Sequence, residues 1–184
     1  MSWIDQRPDD AMAGAFEAVG PAPVRCVEGP AFREAMSRLG AAVHVVTTDG
    51  PGGKSGFTAT AVCAISDQPA TLLVCLNRRS RSTGPFHANG VFCINTLRAG
   101  EEWIADAFAG RTAPTAETRF AVGEWTTLTT GCPVLVSAVV ALDCRIVEVK
   151  AVATHNLFIA AVEAIRLGSG GEALVYHDRA YKRV

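Results

Sequence analysis

Amide, guanidinium and hydroxyl groups follow one another closely in the stretch "TLLVCLNRRSRST", which spans residues 71–83. An apolar run ends at Asn77, and the next six residues are three arginines, two serines and a threonine. Guanidinium and hydroxyl groups of this kind bind phosphate oxygens through charge-assisted hydrogen bonds. The stretch therefore predicts a strand that ends in a phosphate-binding loop, and a solvated basic loop is the alternative.

A second stretch, "GFTATAVCAIS" at residues 56–66, alternates as a strand does, with apolar side chains on one face. Its other face carries the hydroxyl groups of Thr58, Thr60 and Ser66 and no large side chain. Small side chains allow a planar ring to lie against a strand, while hydroxyl groups can meet the edge of the ring. The two stretches together predict a site for a flat, phosphorylated ligand, and close packing of strands is the alternative.

Most of the elements that would position these stretches are predicted strands. A helix over "GPAFREAMSRLG" precedes a hairpin formed by "AAVHVVTT" and the second stretch, with "DGPGGKS" as its turn. Further strand patterns follow at "TLLVCLN", "GVFCINTL", "VVALDCRIVEVKAV", "HNLFIAAVEAIRL" and "ALVYHDRAY", with one helix at "RAGEEWIADAFAG" and a loop over residues 110–133. Because only one helix interrupts the strands, the pattern predicts a mainly β fold, a small antiparallel barrel with helical additions.

Three isolated polar residues are further candidates for a site. Asn95 is a lone amide among apolar residues, and a buried amide must form hydrogen bonds with a ligand or with the backbone. His155 opens a predicted strand, and Tyr181 lies near the C-terminus, where packing is the simpler interpretation of an aromatic side chain. No Ser/His/Asp set, carboxylate pair or metal-ligand spacing indicates hydrolytic or metal chemistry, so no metal is expected.

Composition narrows the class of protein. With 184 residues and a formal net charge of −1, the chain is expected to form one domain that binds no nucleic acid. No apolar run is long enough for a membrane span and the start lacks a signal-peptide pattern, so a cytoplasmic protein without a membrane partner is expected. Six cysteines without a C-x-x-C motif predict unpaired thiols. Residues 1–29 are predicted to be a partly helical extension of a domain over residues 30–184.

Several motifs occur in an order and spacing that resembles a known family. They are "FREAMSRLGAAVHVVTT", "GFTATAVCAISDQPATLLVCLNRRS", "FCINTLRAGEE", "RF", "LDCRIVEV", "THNLFIAAVEAI" and "LVYHDRAY". Together they resemble the small flavin reductases of two-component flavin-dependent monooxygenases, both the 4-hydroxyphenylacetate monooxygenase type and the RutF-like type of pyrimidine degradation. The resemblance covers residues 30–184. It implies an antiparallel Greek-key, FMN-binding split β-barrel with a few helices, which usually forms a homodimer with flavin near the subunit interface.

The resemblance, added to the stretches above, also implies which residues bind ligands. The residues expected to bind FMN or FAD are Lys54, Ser55, Gly56, Phe57, Thr58, Ala59, Thr60, Ser66, Cys75, Leu76, Asn77, Ser80, Arg81, Ser82, Thr83 and Asn95. The residues expected to meet the nicotinamide of NADH or NADPH are His155, Asn156 and Tyr181, with His155 as the catalytic candidate. The three arginines of the basic loop and the N-terminal extension depart from the family pattern.

The implied activity is hydride transfer from C4 of a reduced nicotinamide to N5 of a flavin. Reduced flavin would then diffuse to a separate monooxygenase, which hydroxylates an aromatic compound or opens a pyrimidine ring. Two alternatives stay open: a flavin-binding protein without reductase turnover, and an oxidase of the same fold that acts on a pyridoxamine-like substrate. The sequence does not decide between FMN and FAD, or between NADH and NADPH.

Overall fold

The computed structural model describes residues 25–184, and the helical segment predicted for the N-terminal extension lies outside them. The helices are α1 (Gly29–Ser37), α2 (Thr83–Asn89), α3 (Glu102–Phe108) and α4 (Ala116–Phe120). The strands are β1 (Ala41–Ala42), β2 (His44–Thr48), β3 (Ser55–Ala59), β4 (Val62–Asp67), β5 (Ala70–Asn77), β6 (Val91–Thr96), β7 (Trp125–Thr127), β8 (Pro133–Leu135), β9 (Val140–Val152), β10 (His155–Leu167), β11 (Leu174–His177) and β12 (Ala180–Arg183). All named strands pair antiparallel, and the predicted mainly β, antiparallel class is confirmed.

Seven strands form the main sheet, in the order β3-β2-β6-β9-β10-β5-β4. Its middle is a long hairpin of β9 and β10, each 13 residues in length. On one side β9 pairs with β6, and on the other side β10 pairs with β5. A three-stranded sheet, β1-β11-β12, and the two-stranded β7-β8 complete the strand pairing. The hairpin therefore joins the two halves of the main sheet.

The second stretch of the sequence is not one strand. It divides into β3 and β4, which form opposite edges of the main sheet although only Thr60 and Ala61 separate them in the chain. The three Cα–Cα steps from Ala59 to Val62 span at most about 11 Å, so the two edges meet at this bend and the sheet curls round. There the Ala61 carbonyl accepts a hydrogen bond from the Cys75 N–H of β5, at 3.0 Å. The prediction of one continuous strand was wrong, because side-chain alternation carries no signal for such a bend.

An aromatic core fills the inside of the curled sheet. The ring of Phe86, on α2, lies with its centroid 5.2 Å from that of Phe57, 5.9 Å from Phe158 and 6.1 Å from Phe92. These four side chains are buried together with the inward residues of β5. Helix α2 was not predicted from the sequence. Its buried phenylalanine anchors the C-terminal end of the basic loop against the sheet.

A second core lies on the other face of β2. Ile104 and Phe108 of α3 are buried in one cluster with Val45 of β2 and with side chains of the three-stranded sheet. The ring of Phe108 contacts those of Phe120 and Trp125, with centroids 5.1 and 5.5 Å away. Strand β2 is thus covered on both faces, and α3 is held directly over it and its neighbour β3.

Two further predicted elements differ from the structure. Residues 110–133, predicted as a loop, contain α4 and β7, and α4 begins at a capping box between Thr115 and Thr118. The stretch "ALVYHDRAY", predicted as one strand, is the hairpin of β11 and β12. Its turn is made by Asp178 and Arg179, whose φ angles are 50° and 58°. Two consecutive residues in this left-handed region are typical of a two-residue hairpin turn.

The sequence also predicts that the cysteines are unpaired and that no apolar run is long enough for a membrane span. All six cysteines are free thiols in the structure. Burial raises the pKa of the Cys144 thiol to about 12 and also raises that of Cys93, so both stay protonated at neutral pH. Among residues 25–184 no helix has both the length and the apolar character that a membrane crossing requires.

Candidate active site

Asn77, the last residue of β5, organises the start of the basic loop. Its side-chain carbonyl accepts a hydrogen bond from the Arg79 N–H at 2.9 Å. Its backbone carbonyl accepts hydrogen bonds from the Ser80 N–H at 2.9 Å and from the Thr83 hydroxyl at 3.1 Å. Among the described residues, the Asn77 side-chain N–H₂ group has no acceptor, so these donors remain for a ligand.

A short chain of hydroxyl groups ties the basic loop to β3. The Ser55 hydroxyl donates to the Ser82 hydroxyl at 3.0 Å, and the Ser82 hydroxyl donates to the Gly56 carbonyl at 3.4 Å. Both serines are buried, with 8% and 3% exposure. The structure therefore brings the predicted flavin-binding residues of the 55–60 segment next to those of the 77–83 loop, although they lie far apart in sequence.

The small side chains of β3 have a packing role. A Cβ atom added to Gly56 would lie 2.7 Å from Cε1 of Phe108 and 3.1 Å from the Val46 carbonyl oxygen, so only glycine fits under α3. The Thr58 hydroxyl donates to the Ala105 carbonyl of α3 at 2.6 Å. This side of β3 is covered by α3, so any contact of Gly56 or Thr58 with a ligand would be made by backbone atoms. That contact stays a prediction.

Phe57 and Ala59, on the opposite side of β3, are buried in the aromatic core. Thr60 at the bend is only half-buried, as are Cys75 and Asn77 on β5. The partly open residues of the predicted flavin site are thus gathered at the bend, at the end of β5 and in the loop that follows it. Leu76, by contrast, is buried with 2% exposure.

The pairing of β10 with β5 places the predicted nicotinamide-binding histidine beside these residues. His155 lies directly opposite Asn77 in the antiparallel register, and Leu157 lies opposite Cys75. Opposite residues in such a pair have Cα atoms about 4.5–5.5 Å apart. The His155 ring is half-buried, and its Nδ1 is 2.9 Å from the Thr154 hydroxyl oxygen. Burial lowers the pKa of His155 below its usual 6.5, so the imidazole is neutral at physiological pH.

The other two predicted nicotinamide contacts have different surroundings. Asn156 is buried, and its side-chain nitrogen lies 3.2 Å from Nε2 of His87 on α2. Tyr181 belongs to the three-stranded sheet, and its hydroxyl donates to Asp106 of α3 at 2.9 Å. Burial and this carboxylate raise the pKa of Tyr181. The structure gives both side chains partners within the chain, and their contact with nicotinamide stays a prediction.

Two predicted flavin-binding residues lie apart from the rest. Asn95 is fully buried, where its amide nitrogen donates to the Val45 carbonyl at 3.1 Å and its side-chain oxygen accepts from the Leu135 N–H at 2.7 Å. These hydrogen bonds correspond to the alternative in which the Asn95 amide bonds to the backbone instead of a ligand. Ser66 is exposed and pairs with Thr71, six positions from Asn77 along β5 and so about 20 Å away. The contact of Ser66 with a flavin stays a prediction.

Arg119 also belongs to this region, although it was not among the residues expected from the sequence. Its Nη1 donates to the Gly56 carbonyl at 3.2 Å and its Nε to the Ala113 carbonyl at 2.9 Å. The only signal in the sequence was its place in the "RF" pair of the family motifs. Nearby, Lys54 lies 3.5 Å from Asp49 and sits over the Phe120 ring at 5.4 Å.

A cavity of about 240 Å³ lies beside Lys54 and Asp49. It is lined by Asp49, Lys54, Trp125, Thr126, Thr127, Gly131 and Pro133. Within residues 25–184 no group of three or more His, Cys, Asp or Glu side chains is placed to hold a metal ion.

Comparison with known sequences identifies the family. The family model of the flavin reductase like domain matches residues 36–184. The chain is 52% identical over 165 residues to FMN reductase (NADH) RutF of Ancylobacter novellus, an alignment that covers 90% of each chain. It is 56% identical over 156 residues to FMN reductase (NADH) RutF 2 of Methylorubrum extorquens strain PA1, which covers 85% of this chain and 90% of the relative.

Solved structures have the same fold. A candidate flavin reductase from Haemophilus somnus 129PT superposes with a TM-score of 0.82 at 44% identity, covering 86% of this chain and all of the other. BorF, the flavin reductase component of a bacterial two-component tryptophan halogenase, gives a TM-score of 0.79 at 24% identity, over 85% of this chain and 98% of its own, which shows the fold alone. The chain belongs to the flavin reductase like family, and the resemblance drawn from its motifs is confirmed.

Replacing Gly56 by alanine tests the close contact between β3 and α3. Gly56→Ala should lower the free energy of unfolding by about 1–3 kcal/mol, because the new methyl group overlaps Phe108. Gly84→Ala is the matched control, since an added Cβ has no atom within 4 Å and alanine favours the helix. Urea unfolding of both variants measures the difference. Equal midpoints for the two variants and the parent would contradict the packing account.

Proposed function

We propose that this chain is an NADH-dependent flavin reductase that takes FMN as a substrate and releases it reduced. The observation that carries the proposal is the register of β5 and β10, which sets His155 directly opposite Asn77 beside the basic loop. Flavin and nicotinamide sites that share one strand end would bring the two rings together. The relatives named FMN reductase (NADH) support the choice of FMN and NADH among the possible nucleotides.

The residues present suit a phosphorylated flavin. The loop after β5 offers the guanidinium of Arg81, the hydroxyl of Ser80 and the free amide donors of Asn77. Among the described residues no carboxylate pairs with Arg81, so its charge is not already neutralised by the protein. A dianionic phosphate would supply that charge and accept these donors.

The chemistry resides in the two nucleotides: the flavin, when bound, accepts a hydride at N5 from C4 of the nicotinamide. The protein binds and orients them at reacting distance. The neutral His155 ring can donate or accept one hydrogen bond to the nicotinamide amide, which would fix the ring's orientation. No acid or base of the protein is needed for the hydride step itself.

We also propose that the working unit is a homodimer. The outward face of β4, β5 and β10 carries a strip of apolar side chains, in which Leu73 lies opposite Ile159 and Cys75 opposite Leu157. These residues are only half-buried in the single chain, and the neighbouring Ile65 is 50% exposed. A second copy would cover the strip, and Asn77 at its end would then lie at the subunit boundary.

The reduced flavin is proposed to reach a separate monooxygenase by diffusion. The site lies at an open strand end and a surface loop, from which a loosely bound product can leave. The monooxygenase that receives it acts on an aromatic compound or on a pyrimidine, and this chain does not determine which of the two it is. We expect the protein in the cytoplasm, where reduced nicotinamide is available and its free thiols stay reduced.

Loss of NADH absorbance in the presence and absence of FMN tests the activity. The proposal predicts oxidation of many equivalents of NADH per chain that depends on added FMN. A protein that keeps flavin through dialysis but does not turn over NADH would instead be a flavin-binding protein. Oxygen-dependent conversion of pyridoxamine phosphate without NADH would favour the oxidase.

Replacing His155 tests its role in placing the nicotinamide. His155→Ala should raise the KM for NADH about tenfold, the effect of one lost hydrogen bond, while the KM for FMN changes little. His177→Ala is the control, since this exposed histidine lies in the three-stranded sheet. Steady-state kinetics with each nucleotide varied in turn separates the two constants. A tenfold change in the KM for FMN, or no change in the KM for either nucleotide, would contradict the role assigned to His155.

A charge in the apolar strip tests the dimer. Ile65→Glu should convert the dimer to a monomer, because the subunit contact would have to bury the carboxylate. Leu39→Glu is the control, an apolar residue of similar exposure (58%) that lies after α1, away from the strip. Sedimentation velocity at micromolar protein measures the mass. If the parent is a monomer, or if Ile65→Glu remains a dimer, the strip is not the subunit contact.

A further inference from the structure

Arg119 reaches from α4 across to the first residues of β3. Its Nη1–H bonds the Gly56 carbonyl and its Nε–H bonds the Ala113 carbonyl, so two of its five N–H donors hold the guanidinium in place. The side chain is half-buried. The remaining three donors have no partner among the described residues, which leaves a fixed guanidinium with unused hydrogen-bonding capacity.

The same carbonyl connects Arg119 to the basic loop. The Gly56 oxygen accepts from both the Arg119 guanidinium, at 3.2 Å, and the Ser82 hydroxyl, at 3.4 Å. Groups that share one acceptor lie within a few Å of each other, and Arg81 is the residue next to Ser82 in the chain. Burial, and after it the positive charge of Arg81, lowers the pKa of Arg119, as expected for two cations held near each other.

The described residues supply no carboxylate for this pair of arginines. Four other arginines do pair with an acid: Arg38 and Arg179 with Glu34, Arg111 with Asp106, and Arg145 with Glu163. Lys54, which lies over the Phe120 ring, forms an ion pair with Asp49. Two neighbouring guanidiniums without a counter-charge repel each other, and a partly buried one has also lost solvation. An arrangement of this kind is stabilised when an anion binds.

We propose that Arg119 and Arg81 form one anion subsite, which takes the phosphate of the flavin nucleotide. Arg119 then makes the protein prefer a phosphorylated flavin over riboflavin. This inference rests on the proposed function, because it assigns a further residue to the same flavin site. In this arrangement the five-residue helix α4 positions a fixed cation beside the start of β3.

Flavin titration of Arg119 variants tests the subsite without depending on turnover. Quenching of flavin fluorescence gives the Kd of FMN and of riboflavin for each protein. Arg119→Gln, which keeps a hydrogen-bond donor and removes the charge, should weaken FMN binding about 10- to 100-fold and leave riboflavin within about twofold. Arg119→Lys, which keeps the charge, should retain most of the FMN affinity. Arg111→Gln, at an arginine already paired with Asp106, is the control and should change neither.

Several outcomes would overturn the inference. Equal losses for FMN and riboflavin would mean that Arg119 only supports the fold of β3 and α4, and unchanged FMN binding would remove it from the site altogether. If the parent protein binds both flavins equally well, there is no phosphate subsite, although the reductase proposal stands. If it binds neither flavin, both proposals fail together.

A second measurement needs only the parent protein, and it tests the anion subsite even if Arg119→Gln does not fold. Inorganic phosphate at millimolar concentration should compete with FMN and raise its apparent Kd, with no effect on riboflavin. Phosphate that leaves the FMN titration unchanged would overturn the subsite.

Discussion

The antiparallel register between β5 and β10 is the constraint on which the site depends. It places His155 opposite Asn77 and turns the Asn156 side chain to the other face of β10, where it is buried and lies close to His87 of α2. Because side chains alternate along a strand, a shift by one residue would exchange these two faces. The buried partners of β10 resist such a shift, since Phe158 packs against the ring of Phe86. The apolar interior of the sheet thus determines which polar residue stands beside the basic loop.

A second constraint is the shared acceptor at the start of β3. The Gly56 carbonyl gathers Ser82 from the loop and Arg119 from α4, while the missing side chain of Gly56 lets Phe108 come close. Three segments that are distant in the chain therefore converge on one backbone group. Each hydrogen bond contributes only about 1 kcal/mol, so the convergence depends on the two cores that hold β3 and α3 in place.

Part of this arrangement could be predicted from the sequence and part could not. An apolar run that ends at Asn77 and continues with arginines and serines marks a strand followed by a basic loop, because these signals are local. The bend at Thr60 has no local signal. The small residues Gly56 and Thr58 look like a surface for a flat ligand as long as α3 is not known to cover them. Arg119 was missed because its neighbours in space, Gly56 and the basic loop, are dozens of residues away in the chain.

A structure of the protein with FMN and oxidised nicotinamide dinucleotide bound tests the central claim most directly. The account predicts that the flavin ring lies against the end of β5, with its phosphate near the basic loop, and that the nicotinamide ring lies between the flavin and His155. It would be contradicted by a flavin bound elsewhere on the chain, or by a nicotinamide that has no contact with His155.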